Sequence, residues 1–172
     1  MYVRLRLLLP AAALALTTSC SHSPGLTSFH GHGVTARYPR TWFATRQPLT
    51  PVTSPVQVLA VASYRFPPNK QGASGCAPKA ALDRLPPTGA FVFAWEFTMP
   101  SPSGLRPADF PRRPSHFQLT RLTETECLGR SYMVRFREAG RFFQVHAVLG
   151  PDVSGGTRKS VVHLLDSLRA TT

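Results

Sequence analysis

Five arginines make up the two clusters of this chain that are best suited to binding an anion. Arg112 and Arg113 are adjacent in the stretch DFPRRPSH. Arg135 and Arg137 alternate onto one face of a predicted strand, and we expect Arg141 to join them from across the following turn. Guanidinium groups bind carboxylates and phosphates through paired hydrogen bonds. The clusters predict an anionic headgroup or polymer as ligand, and a solvated sheet face screened by salt is the alternative interpretation.

Two histidines in the stretch FHGHG have a spacing that would suit a metal ion. His30 and His32 are two residues apart, so both side chains point to one face if the backbone is extended. Imidazole is a common ligand of transition metals, but no carboxylate or third ligand stands at a useful spacing. Exposed hairpin residues are the alternative. We therefore predict no metal and no cofactor, and keep these two histidines as candidates to check.

Two carboxylates in the stretch TETEC have a spacing that would suit acid–base catalysis. Glu124 and Glu126 share a face if that stretch is extended. The chain has only eight acidic residues, so balancing neighbouring arginines is the other interpretation. We expect the second role and predict no catalytic residue.

Aromatic residues are numerous enough to line an apolar pocket. Aromatic side chains on a sheet usually belong to the core. A pocket between sheet and helix that takes a small apolar ligand is the alternative. The residues concerned are Tyr38, Trp42, Phe91, Phe93, Trp95, Phe97, Phe142 and Phe143.

The elements that position these residues follow from apolar alternation and turn signals. Residues 156–169 carry an apolar stripe at helical spacing, with Asp152 or Ser154 as the cap. A short helix is predicted at 79–85. Extended segments are predicted at 34–38, 42–46, 56–64, 90–97, 117–122, 132–137 and 141–149. The fold class expected is α+β: an antiparallel sheet of about six or seven strands with a C-terminal helix packed on one face.

Residues 1–19 have the features of a signal peptide. Arg4 and Arg6 precede an apolar run at 7–16, and small residues follow it. The run is about half the length that spans a bilayer, roughly 20 residues. The sequence therefore predicts export.

The cysteine that follows this leader has a recognisable context. The stretch LTTS before Cys20 resembles the bacterial lipobox, with Thr17 where that motif prefers Leu, Val or Ile. The resemblance implies lipidation of Cys20 and an anchor on the outer face of the cell membrane. Cleavage to a soluble secreted form is the alternative.

The other two cysteines, Cys76 and Cys127, form an even pair once Cys20 is lipidated. Export to an oxidising compartment predicts a disulfide between them. Closing a loop of about 50 residues would stabilise the fold by roughly 4 kcal/mol in the chain-entropy model. A metal site with scattered histidines is the alternative, but neither cysteine has a second ligand at CxxC or CxxH spacing.

Residues 20–27 are predicted to be a short tether, and residues 28–172 have the length of one domain. The net charge of +12 falls to +10 when the leader is removed. Outside a cell, such a cation meets anionic lipid or cell-wall polymers, which we predict as partners. Nucleic acid is not expected, because export separates the protein from it.

Two motifs and the order of elements resemble the PsbP/Mog1-like superfamily, found in many exported actinobacterial proteins. The motifs are YPRTW at Tyr38 to Trp42, between two strands, and LLDSL at Leu164 to Leu168, in the terminal helix. The resemblance implies a binding or accessory domain and supplies no catalytic residues.

Three functions follow as hypotheses. The first is a module that binds polyanions or membrane surfaces through the arginines. The second is a carrier of a small apolar ligand in an aromatic pocket. The third is a metal-dependent or hydrolytic enzyme. We favour a non-enzymatic, lipid-anchored binding domain, and the sequence does not identify its ligand or protein partner.

Overall fold

Two antiparallel sheets and two helices form the part of the chain that the computed structural model describes, residues 25–67, 75–101 and 103–171. The predicted signal peptide and Cys20 lie outside the described residues. The first strand begins at Leu26, so the domain includes the end of the predicted tether. Among the described residues, no helix is long and apolar enough to cross a membrane.

The strands are numbered in chain order. They are β1 (Leu26–Gly31), β2 (Val34–Pro39), β3 (Phe43–Ala44), β4 (Val56–Ala62), β5 (Ala90–Phe97), β6 (Leu122–Thr125), β7 (Gly129–Glu138), β8 (Arg141–Leu149) and β9 (Arg169–Ala170). The helices are α1 (Lys79–Leu82) and α2 (Gly155–Ser167), and a single 3₁₀ turn lies at Pro107–Asp109.

The large sheet has six strands in the order β3-β4-β5-β8-β7-β6. All of its pairs are antiparallel. The expected α+β class and antiparallel sheet are therefore confirmed. The expectation of one sheet was incomplete, because β2 pairs with β1 and β9 and forms a second sheet of three strands.

The central strand β5 divides the core into two sides. Its residues alternate between the two faces of the sheet, as an extended backbone requires. We call one face the helix side, where Val92 and Ala94 pack with Leu164 of α2. We call the other face the loop side, where Phe93 and Trp95 pack with residues from loops, such as Phe110. Both clusters are buried, but α2 covers the helix side, whereas mainly loops and the short helix α1 cover the loop side.

Helix α2 packs against β2 and β5, as the apolar stripe predicted. Val161, Leu164 and Leu165 are its buried residues. The Ser154 hydroxyl accepts a hydrogen bond from the Thr157 backbone N–H at 3.0 Å, so Ser154 is the cap.

The proline-rich segment between β5 and β6 crosses from one side of the sheet to the other. Phe110 is buried on the loop side and Phe117 on the helix side. The strand predicted at 117–122 was wrong. The backbone N–H of Phe117 donates to Asp166 Oδ1 of α2 at 2.7 Å, so a side chain takes the place of a neighbouring strand.

The predicted disulfide between Cys76 and Cys127 is confirmed, with 5.2 Å between the Cα atoms. It joins the segment before α1 to the turn between β6 and β7. Both cysteines pack with the loop side or border its open cleft, so the bridge holds the loops that cover this side.

Candidate binding site

The predicted group of three arginines around the β7–β8 hairpin does not form. The turn consists of Ala139 and Gly140, both with positive φ, so Glu138 pairs with Arg141 and Arg137 pairs with Phe142. A two-residue turn of this kind places the next residue opposite Glu138. Arg141 therefore lies on the helix side, whereas Arg135 and Arg137 lie on the loop side.

Arg141 is held by partners within the protein. Its guanidinium donates to both carboxylate oxygens of Glu96, at 2.7 and 2.6 Å. It also donates to the backbone carbonyls of His32 and Gly33 in the β1–β2 turn. The hydrogen bond to Glu96 raises the pKa of Arg141. These contacts join the two sheets and leave Arg141 poorly placed to bind an external anion.

Arg113 closes the C-terminal end of α2. Its guanidinium donates to the carbonyls of Leu165, Asp166 and Leu168, at 3.1, 2.7 and 3.0 Å. The last carbonyls of a helix have no partners within the helix, and a cation there is also attracted by the negative end of the helix dipole. Burial lowers the pKa of Arg113, with Arg169 contributing. Its role is structural.

Arg112 and Arg137 are exposed and lie together. A backbone bridge joins them, and both border an open cleft of about 440 Å³ at the hairpin. Neither guanidinium forms an ion pair among the described residues. Of the five predicted arginines, these two keep the exposure that an anionic surface requires.

The two candidate histidines do not share a strand face. His30 is exposed on β1, whereas His32 occupies the turn with φ of 51° and bonds to the Arg46 carbonyl at 2.9 Å. Within the described ranges, no three His, Cys, Asp or Glu residues are grouped to hold a metal ion. Glu124 and Glu126 are both exposed, with Glu124 opposite Arg130.

The most distinctive cavity lies on the loop side, beside the disulfide. We call it the disulfide cleft. It has a volume of about 300 Å³ and its wall is mainly apolar. The lining residues are Val52, Pro55, Cys76, Trp95, Phe97, Ser103, Leu105, Cys127, Arg135 and Gln144. Of the eight aromatic residues considered from the sequence, Trp95 and Phe97 border this cleft, which lies on the loop side and not between sheet and helix, where the alternative to a core role would place a pocket.

A row of polar groups forms the floor of the disulfide cleft. Cross-strand pairing aligns Trp95 on β5, Gln144 on β8 and Arg135 on β7. Arg135 Nε donates to Gln144 Oε1 at 2.7 Å. The Gln144 amide nitrogen then faces His146 Nε2 at 2.8 Å. Since the amide nitrogen is a donor, His146 Nε2 accepts and its ring proton is on Nδ1, which donates to Ser131 Oγ at 2.9 Å.

His146 is neutral in this network. Burial, together with the nearby Arg135 charge, lowers its pKa to about 4. The pairing of Ser131 with His146 is reminiscent of a nucleophile and its base, but both residues are 0% exposed. A substrate has no access to Ser131 Oγ, so the geometry gives the pair a role in holding Gln144 and not in catalysis.

Trp95 contributes an unusual feature to the disulfide cleft. Its indole N–H is buried and has no hydrogen-bond acceptor among the described residues. Most buried N–H groups are paired, and an unpaired one costs about 1–3 kcal/mol. Trp95 borders the cleft, but its indole nitrogen is itself buried, so a ligand with an acceptor atom reaches this donor only when the side chains over it move.

A wider cleft of about 560 Å³ lies at the β3 edge, lined partly by Phe43, Arg65 and Arg84. Arg65 stacks over the Phe43 ring at 5.2 Å, and both arginines are exposed. Among the described residues, no buried unpaired donor borders this wider cleft. The disulfide cleft is therefore the better candidate for a specific small ligand.

Sequence reasoning missed Ser131, Gln144 and His146. A signal was present, because Gln144 and His146 are polar residues two apart in a strand that is apolar from Phe142 to Leu149 apart from these two. Alternation places them on the same face as Phe142 and Val148. No protein-family model matches the chain, and no curated protein is similar to it.

Proposed function

We propose that this protein is a non-enzymatic binding domain that holds a small apolar ligand in the disulfide cleft. The observation that carries the proposal is an open, mainly apolar cleft of about 300 Å³ that also contains an unpaired buried donor, the Trp95 N–H. Ligand sites are typically concave and apolar, with a few polar groups that fix orientation. Ser103, Arg135 and Gln144 are the other polar residues that border the cleft.

The internal contacts of Arg113 and Arg141 also support a cleft ligand over an arginine face. Both guanidiniums are occupied by protein carbonyls or carboxylates. An anionic surface would have to displace those bonds, and buried partners left without hydrogen bonds cost free energy.

The proposal includes the location and the finer fold assignment. The leader and Cys20 support export and a lipid anchor on the outer face of the cell membrane. The order of elements supports a PsbP/Mog1-like fold, with YPRTW spanning the end of β2 and the turn after it, and LLDSL at the end of α2. In that setting, the domain would present its cleft outside the membrane.

The test uses 1-decanol, a neutral apolar probe, titrated into residues 25–172 and followed by isothermal calorimetry below the concentration at which the alcohol aggregates. We expect saturable binding to one site. Leu105→Glu puts a charge in the wall of the cleft and should weaken binding tenfold or more. Leu122→Glu, at an exposed position on β6, is the matched control.

Two results would overturn the proposed function. The first is the absence of saturable 1-decanol binding by the intact, oxidised domain. The second is an equal loss in both glutamate variants, which would show that the probe binds elsewhere.

The exposed pair Arg112 and Arg137 favours a second candidate function, attachment to anionic lipid or cell-wall polymer. This attraction would be electrostatic, so binding to vesicles containing phosphatidylglycerol should decline between about 50 and 200 mM salt. The double variant Arg112→Gln with Arg137→Gln should bind less at low salt. Unchanged vesicle binding by that variant would exclude this surface as the contact.

A further inference from the structure

We propose that the ligand of the disulfide cleft is a monocarboxylate, an apolar body with one carboxylate group that Arg135 and Trp95 bind together. The inference rests on the proposed function and adds the chemistry of the ligand's polar end. It follows from which donors in the cleft are occupied and which are free.

Arg135 is oriented but not neutralised. Its Nε atom donates to Gln144, and the structure gives its two terminal nitrogens no acceptor among the described residues. No carboxylate forms an ion pair with it in the described part of the chain. A guanidinium held at one edge presents its remaining N–H groups in a fixed arrangement, which suits a planar carboxylate.

Trp95 holds a second unpaired donor, an indole N–H that is buried until the side chains over it move. Both residues border the cleft, and both lie in the cross-strand row that runs through Gln144. The indole N–H can only donate, so its partner must carry an acceptor atom. An anion with more than one acceptor atom can satisfy the indole and the guanidinium at once.

The remaining lining restricts the anion to a single charge. Arg135 is the only charged residue among the described residues that border the cleft, and most of the others are apolar. A phosphate would bring up to two negative charges to one guanidinium in an apolar wall. A carboxylate group brings one negative charge. The apolar body of a monocarboxylate would pack against Val52, Phe97 and Leu105.

The buried residues behind the row keep Arg135 in place. Ser131 fixes the His146 ring, His146 accepts from the Gln144 amide, and this holds the Gln144 oxygen towards Arg135. These are positioning residues, because none of the three bears the charge that binds the ligand. A neutral His146 is required, since a second proton on the ring would break its bond to Gln144.

The experiment compares decanoate with 1-decanol, which share a chain length and differ in the charged end. Both are titrated at pH 7 into the oxidised domain and into Arg135→Gln. We expect decanoate to bind wild type at least tenfold more tightly than 1-decanol. Arg135→Gln should weaken decanoate 10- to 100-fold and leave 1-decanol within about twofold, as expected for loss of a charge-assisted hydrogen bond.

Arg137→Gln is the matched control, because it removes the same charge two residues along the same strand, outside the cleft lining. Decanoate affinity should not change in it. Trp95→Phe keeps a ring in the wall and removes the donor, so it should weaken decanoate several-fold and weaken 1-decanol less, because a hydroxyl oxygen is a weaker acceptor than a carboxylate. Thermal unfolding of each variant shows whether it is folded.

The outcomes separate this inference from the proposed function. If 1-decanol binds and decanoate binds no more tightly, the carboxylate assignment is wrong and the apolar site stands. If Arg137→Gln weakens decanoate as much as Arg135→Gln, the attraction is general surface charge and the assignment is also wrong. If neither probe binds, the proposed function itself fails.

Discussion

The two sides of the large sheet use polar residues in opposite ways. On the helix side, Arg141 and Glu96 bond to each other and Arg113 bonds to the end of α2. On the loop side, Arg135 has free terminal nitrogens among the described residues, and Trp95 has an unpaired N–H. Arginines whose donors are hydrogen-bonded within the fold have few donors free to bind a ligand. Groups in a cleft that still have unpaired donors can bind one.

The covering of each side explains this difference. A helix and a second sheet cover the helix side, so its arginines are partly or largely buried and bond to partners within the protein. Loops tied by the Cys76–Cys127 disulfide cover the loop side, and they leave an open cleft between them. Packing of a helix and a sheet against the core favours stability, whereas loops over the core leave clefts in which a ligand can bind.

The largest expected effect comes from removing the disulfide. Cys76→Ser with Cys127→Ser should lower the free energy of unfolding by about 4 kcal/mol, because the unfolded chain regains the freedom of a loop of roughly 50 residues. Urea unfolding measures the change. Reductant should produce a similar loss in wild type and none in the variant, and a wild type unaffected by full reduction would contradict the prediction.

The next largest effect is a pH dependence of folding stability that arises from His146 on the loop side. The pKa of His146 is about 4 in the folded protein, below its unfolded value of about 6.5. The unfolded state therefore binds more protons between these values, and folding stability falls by about 3 kcal/mol as the pH drops from 6.5 to 4.

Urea unfolding at several pH values isolates this contribution. His146→Gln should lose that part of the pH dependence, although its stability at neutral pH also falls. His163→Gln, at an exposed position on α2, should keep it. Identical pH dependence in wild type and His146→Gln would contradict the neutral, buried ring.

A smaller effect is expected on the helix side. Glu96→Gln keeps the shape of the side chain but removes the charge that Arg141 faces, and it should cost about 1–3 kcal/mol of folding stability. Decanol and decanoate affinities should not change, because the pair lies on the opposite face from the disulfide cleft. Weakened ligand binding with folding intact would show that the two sides are coupled.

The smallest effect is expected at the exposed hairpin. Arg137→Gln should change the free energy of unfolding by no more than about 0.5 kcal/mol, because its side chain makes no ion pair among the described residues. Thermal and urea unfolding measure this. A loss above 1.5 kcal/mol would show that Arg137 supports the fold.

Local patterns predicted much of the fold. Strands β5 and β8 have the predicted bounds, because β5 is rich in aromatic residues, which favour strands, and a turn signal precedes β8. The C-terminal helix and the disulfide followed from apolar spacing and from the number of cysteines. The strand at 117–122 failed because Phe117 is held by Asp166, a residue 49 positions away that no local pattern connects to it.

The candidate site was less predictable for the same reason. The partners of Arg141 include Glu96, 45 residues earlier, and those of Arg113 lie 52 to 55 residues later. Charge and spacing identified these arginines as groups that bind anions. They did not show which carboxylate or carbonyl each arginine binds. The row through Gln144 depends on the pairing of three strands, which a single sequence does not specify.

The most direct test of the disulfide cleft is a titration of the ¹⁵N-labelled domain with decanoate, followed at the indole N–H signals. The protein has two tryptophans, and Trp42→Phe assigns the signal of Trp95. We predict that the Trp95 signal shifts with a hydrogen-bonded acceptor and reaches saturation, and that the Trp42 signal stays in place. A Trp95 signal that remains still at saturating decanoate, while exposed arginines respond, would contradict the account.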